Sequence, residues 1–158
     1  MDKTILIRPE SGLQFDWQSI ASHPCDKHEP TYSLVAYKSL YTNRIAQARA
    51  QGMEPVLVSL PIMDEDRFFA FITRGMTMQE RKNVLFWLGG STERLGNLHE
   101  LYNLALFRIA AQHCVHIVDV TSPMLEDPHY EQLLEPDGVT LSAAGQAVVS
   151  CRFGTLAC

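Results

Sequence analysis

A chain of 158 residues, 46% of them apolar and 20% charged, has enough material for one domain with a real core and too little for two. Its formal net charge of −5, with 13 scattered Lys and Arg residues, argues against a nucleic-acid or anionic-membrane surface. No apolar stretch approaches the roughly 20 residues of a membrane span, and the start MDKTILIRPE is too short in its apolar run for a signal peptide. Cys25, Cys114, Cys151 and Cys158 show no C-x-x-C spacing, so the expectation is unpaired thiols in a reducing, cytoplasmic setting.

TILIR, Thr4 to Arg8, is a β-branched run that stops at Pro9 and predicts a strand. The next segment, through Pro30, carries three prolines without sustained periodicity and predicts a long loop. From Tyr32 to Gln51 the residues Val35, Leu40, Tyr41, Ile45 and Ala48 recur at helical spacing, with Gly52 as the stop. PVLVSLP, Pro55 to Pro61, is the uniformly apolar kind of strand that a parallel sheet buries on both faces. Asp64 is placed to cap a helix through about Phe71, and Thr77 with Glu80 forms a capping box for another through about Leu88. GGSTERLGN reads as a break. From Asn97 a longer helix to about His113 carries Leu98, Tyr102, Ala105 and Ile109 as one stripe, and VHIVDV, Val115 to Val120, is a third strand. A loop, a short helix around His129 to Leu134, the turn Pro136-Asp137-Gly138 and a helix from Ser142 to about Arg152 complete the chain.

Strands alternating with helices predict a parallel α/β sheet with right-handed crossovers. Ligands of such sheets sit at the carboxyl ends of the strands. The segments Pro9 to Gly12, Pro61 to Asp66, Ser122 to Glu126 and the Asp137 loop are therefore the expected lining of a site. Ser11, Ser59, Ser91, Ser122 and Ser142 lie nearest strand ends or glycines, but none sits in a G-x-S-x-G elbow, and Ser142 reads as a helix cap. His23, Cys25 and His28 lie close in HPCDKH without the four-ligand spacing of a structural zinc site, so loop polarity is preferred and no metal or cofactor is expected. His99 and Glu100 read as helix-start polarity, since adjacent helical residues point apart. Asp119, inside an apolar strand, must have its carboxylate hydrogen-bonded or shifted in pKa. Arg67, Phe68, Phe69, Phe71 and Trp87 fit a lid over the strand ends and a core equally well.

Taken in order, YKSLYTNRIAQARAQGMEPVLVSLPIMDEDRFFAFITRGM, VLFWLG, HELYNLALFRIA, IVDVTSPML and LLEPDGVTLSAAGQ resemble the C-terminal two thirds of SGNH hydrolases, the GDSL-type lipases and esterases. The resemblance covers Tyr32 to Val149. It implies a three-layer α/β/α, flavodoxin-like parallel sheet and one domain over residues 1–158, incomplete at its N-terminus and lacking the family's first two strands. It also implies hydrolysis of acyl or acetyl-carbohydrate esters by a Ser-His-Asp triad without a metal. The family's nucleophile and oxyanion glycine have no counterpart, RPESG replaces the oxyanion asparagine motif, and the D-x-x-H motif reads Asp137-Gly138-Val139-Thr140. Asp137 is the triad acid by resemblance and Thr140 stands where the base belongs.

A threonine hydroxyl cannot replace imidazole as a base near neutral pH. The expectation is a hydrolase relative inactive as supplied. The alternatives are a non-catalytic binding or chain-pairing domain, and an active esterase with rearranged or partner-supplied residues. Pro61, Asp64, Arg67 and Phe68 are the expected substrate-binding residues. A small ester or acetylated carbohydrate is the expected ligand, with no nucleic acid and no membrane. The exposed edge left by the missing strands predicts either a homodimer through Thr4 to Arg8 or a missing N-terminal part that exists elsewhere.

Overall fold

The structure is a computed structural model that describes residues 3–154; Cys158 lies outside them. Strands β1 (Lys3–Ile7), β2 (Met53–Val58) and β3 (His116–Val118) form one parallel sheet in the order β1-β2-β3. Lys3 pairs with Met53 through to Ile7 with Leu57, and Val56 pairs with His116 through to Val58 with Val118. Parallel neighbours require crossovers. The first is helix α2 (Leu34–Ala50), and the second runs through α3 (Glu65–Ile72), α4 (Met78–Trp87) and α5 (Glu93–Gln112).

The central strand β2 is buried from Pro55 onward because helices cover both faces. On one face Ile7 and Leu57 meet Tyr41 and Ile45 of α2 and Leu106 and Ile109 of α5. On the other, Val56, Val58 and Val118 meet Val149 of α7 (Ala143–Gly154). The architecture is thus three-layer α/β/α, as the family resemblance implies, around the parallel sheet that the strand-helix alternation predicts. A further apolar cluster joins Leu13, Met63, Phe68, Val84 and Leu95, on segments that follow β1 and β2. Among the described residues no helix is long and apolar enough to cross a membrane.

The cap signals translate directly into structure. Asp64 accepts from the Arg67 N–H, and Thr77 and Glu80 complete a reciprocal capping box. The Ser142 hydroxyl accepts from the Gly145 N–H at 3.2 Å. Several boundaries differ from the sequence-based expectation. Helix α1 (Trp17–Ser22), started by the Asp16 carboxylate, lies inside the expected loop; six residues are too few to display a periodicity. Helix α6 (Thr121–Glu126) likewise replaces loop. Helix α5 begins at Glu93 rather than Asn97, so His99 sits in its second turn, buried. In the first turn of α2 Tyr37, not Val35, faces the core; Val35 is 76% exposed.

Candidate functional site

Each strand-end segment expected to line a site is tied to another. The Pro136-Asp137-Gly138 turn closes with the Gly138 N–H on the Glu135 carbonyl at 3.0 Å and the Glu135 N–H on the Thr140 carbonyl at 2.7 Å. Gly138 has φ +76°, and its carbonyl accepts from the Asp64 N–H at 2.9 Å. A Cβ there would stand 2.5 Å from the Asp64 carbonyl and 2.7 Å from the Phe68 nitrogen, so glycine is required twice over. The Asp137 carboxylate accepts from the Thr140 hydroxyl at 2.6 Å and from the Val139 and Thr140 N–H groups at 3.0 and 2.9 Å. Partial burial raises its pKa, but the Thr140 and Val139 donors, with Arg67 nearby, outweigh that and hold the carboxyl below the usual aspartate range.

Arg67 is committed to the same corner. Its Nε donates to the Asp64 carboxylate at 3.0 Å, its Nη1 to the Leu134 and Glu135 carbonyls at 3.3 Å each, and its Nη2 to the Glu131 carbonyl. Of the four residues expected to bind substrate, Asp64 and Arg67 are therefore placed as a clamp on this loop. Phe68 is 8% exposed within the cluster around Leu13 and Val84, and the Pro61 carbonyl is bonded to a histidine. Trp87 packs against that cluster with Phe15 and Trp17, while Phe71 is 39% exposed under Arg74.

Between β2 and β3 lies a second polar knot. The buried Ser59 hydroxyl accepts from the Val120 and Thr121 N–H groups at 2.9 and 3.2 Å. Thr121 Oγ1 donates to the Leu60 carbonyl at 2.6 Å, and Asn103 of α5 reaches both Thr121 Oγ1 and the Leu60 N–H. Asp119 is half-buried rather than inside a strand, because β3 stops at Val118; its carboxylate takes the Thr121 and Ser122 N–H groups and the Ser122 hydroxyl at the start of α6. Partial burial raises this carboxyl, and the Ser122 and Thr121 donors outweigh it and lower it. The knot splices the ends of β2 and β3 together.

A third contact links the loop after β1, the loop after β2 and α5. His99 Nε2 lies 2.8 Å from the Pro61 carbonyl and Nδ1 lies 3.2 Å from Ser11 Oγ. A carbonyl only accepts, so Nε2 carries the proton and Nδ1 presents its lone pair to the serine hydroxyl. Burial pushes the His99 pKa below the ordinary histidine value, more than the Pro61 carbonyl and Glu100 raise it, so the ring is neutral near pH 7. One turn on, Tyr102 packs against Gly12, where a Cβ would stand 2.0 Å from the ring. The absence of a side chain at Gly12 lets the loop lie on α5 and brings Ser11 onto His99. Reading His99 as helix-start polarity missed this pair. The signal available was its place on the stripe Leu95, His99, Tyr102, Leu106, Ile109, visible once the helix starts at Glu93.

Against solved structures, the chain is similar to a lipase/acylhydrolase from Enterococcus faecalis, with TM-score 0.61 and 14% identity over 98% of this chain and 60% of that one. It is also similar to a GDSL-like lipase from Bacteroides thetaiotaomicron, with TM-score 0.55 and 12% identity over 97% of this chain and 60% of that one. An α/β hydrolase enzyme from the metagenome of Lake Arreo, Spain, gives TM-score 0.55 and 14% identity, with 97% and 58% covered. The sequence matches no protein-family model and no curated protein. The fold is that of GDSL-like hydrolases, and the chain spans about three fifths of the length of these structures.

Proposed function

We propose that the protein recognises a short acyl ester or an acetylated carbohydrate with a hydrolase-type fold whose Asp137–Thr140 loop has become structural. The observation that carries this reading is the Asp137 carboxylate, filled by the Thr140 hydroxyl and two backbone N–H groups where a triad acid would orient an imidazole. No proton relay runs through that loop. The acyl part of the ligand fits a groove of about 250 Å³ lined by Leu13, Phe15, Leu34, Leu98, Leu101 and Tyr102, beside the loop after β1. The exposed thiols of Cys25, Cys114 and Cys151 suit a reducing, cytoplasmic setting.

Titration with a short-chain ester and with an acetylated oligosaccharide, followed by tryptophan fluorescence, tests this reading. Phe15 on the groove contacts both Trp17 and Trp87, so filling the groove changes their signal. The expected result is saturable binding that Leu101→Glu weakens roughly ten-fold, equivalent to about 1.4 kcal/mol. Leu101 is 43% exposed, so the substitution leaves the fold intact. Unsaturable binding of both ligands would contradict the reading.

A second reading, pairing of two chains along β1, is favoured by the sheet order. Among the described residues β1 hydrogen-bonds only to β2, and Leu6 on it is 37% exposed. Sedimentation equilibrium is expected to give a concentration-dependent dimer; a monomer at all concentrations would count against it.

A further inference from the structure

We propose that Ser11 and His99 form a nucleophile–base pair, so that Ser11 accepts an acyl group from an ester held in the adjoining groove. The choice of an ester probe rests on the ligand reading above; the pair itself rests on geometry. Of the five serines nearest strand ends or glycines, four are accounted for structurally. Ser59 is buried in the β2–β3 knot, and Ser91 accepts the Glu93 N–H at 3.2 Å. Ser122 bonds to Asp119, and Ser142 caps α7 while donating to the Gln132 carbonyl at 2.7 Å. Ser11 alone of the five meets an imidazole.

That imidazole is set up as a base. Its tautomer is held by the Pro61 carbonyl, its lone pair faces the hydroxyl at 3.2 Å, and it is neutral at working pH. The Leu13 N–H, 3.2 Å from Ser11 Oγ, stabilises negative charge growing on that oxygen. Two cavities lie near the pair: one is lined by chain neighbours of Ser11 and His99, the other by His99 itself. The apolar groove includes Leu13, Leu98 and Tyr102, and a second cavity of about 240 Å³ includes His99, Glu65 and Glu100. The first suits an acyl chain and the second an alcohol or water. Both lie with the loops that follow β1 and β2, at the carboxyl ends of those strands.

The chemistry closes without a co-reactant other than water. Ser11 Oγ bonds to the ester carbonyl carbon as His99 Nδ1 takes its proton. The carbon–oxygen bond to the alcohol then breaks and the proton passes to the departing oxygen. Water attacks the acyl-serine, gives a proton to Nδ1, and the carboxylic acid leaves as Ser11 recovers its proton. The imidazolium formed in each half is supported by a carbonyl dipole, a weaker partner than a carboxylate. Acylation is therefore easier to observe than turnover.

The test is labelling of the purified protein with an alkyl fluorophosphonate and with p-nitrophenyl acetate, followed by peptide mass mapping. The expected result is one adduct on the peptide containing Ser11, absent in Ser11→Ala and formed roughly 100-fold more slowly in His99→Gln. Ser11→Cys covers the case in which His99→Gln fails to fold. Alkylation of its thiol by iodoacetamide is expected to be fast and to persist below pH 7, as for a thiolate paired with imidazole. Adducts elsewhere, no adduct, or an unactivated thiol in Ser11→Cys would overturn the proposal. Saturable ester binding without a Ser11 adduct removes the pair and leaves the ligand reading; a Ser11 adduct without saturable binding does the reverse.

Discussion

Two side-chain pairs near the strand ends, Asp137–Thr140 and Ser11–His99, look alike as hydrogen bonds and differ in what they can do. In the first, a carboxylate holds a hydroxyl at 2.6 Å within one turn, three residues apart. Neither partner is a base of useful strength at neutral pH, and the carboxyl is driven further from titration by its donors. In the second, residues 88 apart in sequence bring a hydroxyl to a neutral imidazole at 3.2 Å. The first pair has an acid without a base, and the second has a base without an acid. Of the two pairs, only Ser11–His99 contains an imidazole, the side chain that moves protons most readily near neutral pH.

The largest effect expected from breaking this contrast is at Gly138. Gly138→Ala puts a Cβ against the backbone of Asp64 and Phe68 at positive φ. It is expected to cost about 2–4 kcal/mol in urea unfolding, while Ser11 labelling by the phosphonate persists in the folded fraction. A neutral outcome would mean that the loop does not press on α3. A smaller effect is expected from Asp137→Asn, which keeps the shape and loses the charge. Stability should fall by about 1 kcal/mol, with ester hydrolysis, whatever its level, unchanged. A fall in rate of roughly 100-fold would instead restore the loop to catalysis. The same carboxyl gives an acid dependence. Its folded pKa lies below the unfolded aspartate value of about 3.9, so its contribution is present above that pH and is lost as pH falls through the folded value.

Much of this architecture was legible in the sequence because its determinants are local. The β-branched run before Pro9, the apolar PVLV, and the caps Asp64, Thr77–Glu80 and Ser142 each act within a few residues. The Pro136-Asp137-Gly138 turn was equally local. What escaped was short or long-range. Helix α1 has six residues and no period to read. The clamp that Arg67 makes on the Asp137 loop was not legible, because three of its four partners lie 64 to 68 residues away in the chain. Ser11 and His99 meet across 88 residues of sequence, where Gly12 lies against Tyr102 of α5.

The most direct measurement is the nitrogen-15 chemical shift of both His99 ring nitrogens through a pH titration from 8 downward. The account predicts the Nε2–H tautomer, an unprotonated Nδ1, and a midpoint below the ordinary histidine pKa of about 6.5. Protein stability should be level above that pH and decline below it, because the unfolded chain then binds the extra proton. A proton on Nδ1 at neutral pH, or a midpoint at or above the ordinary value, would leave Ser11 facing a ring that cannot take its proton, and the central claim would fail.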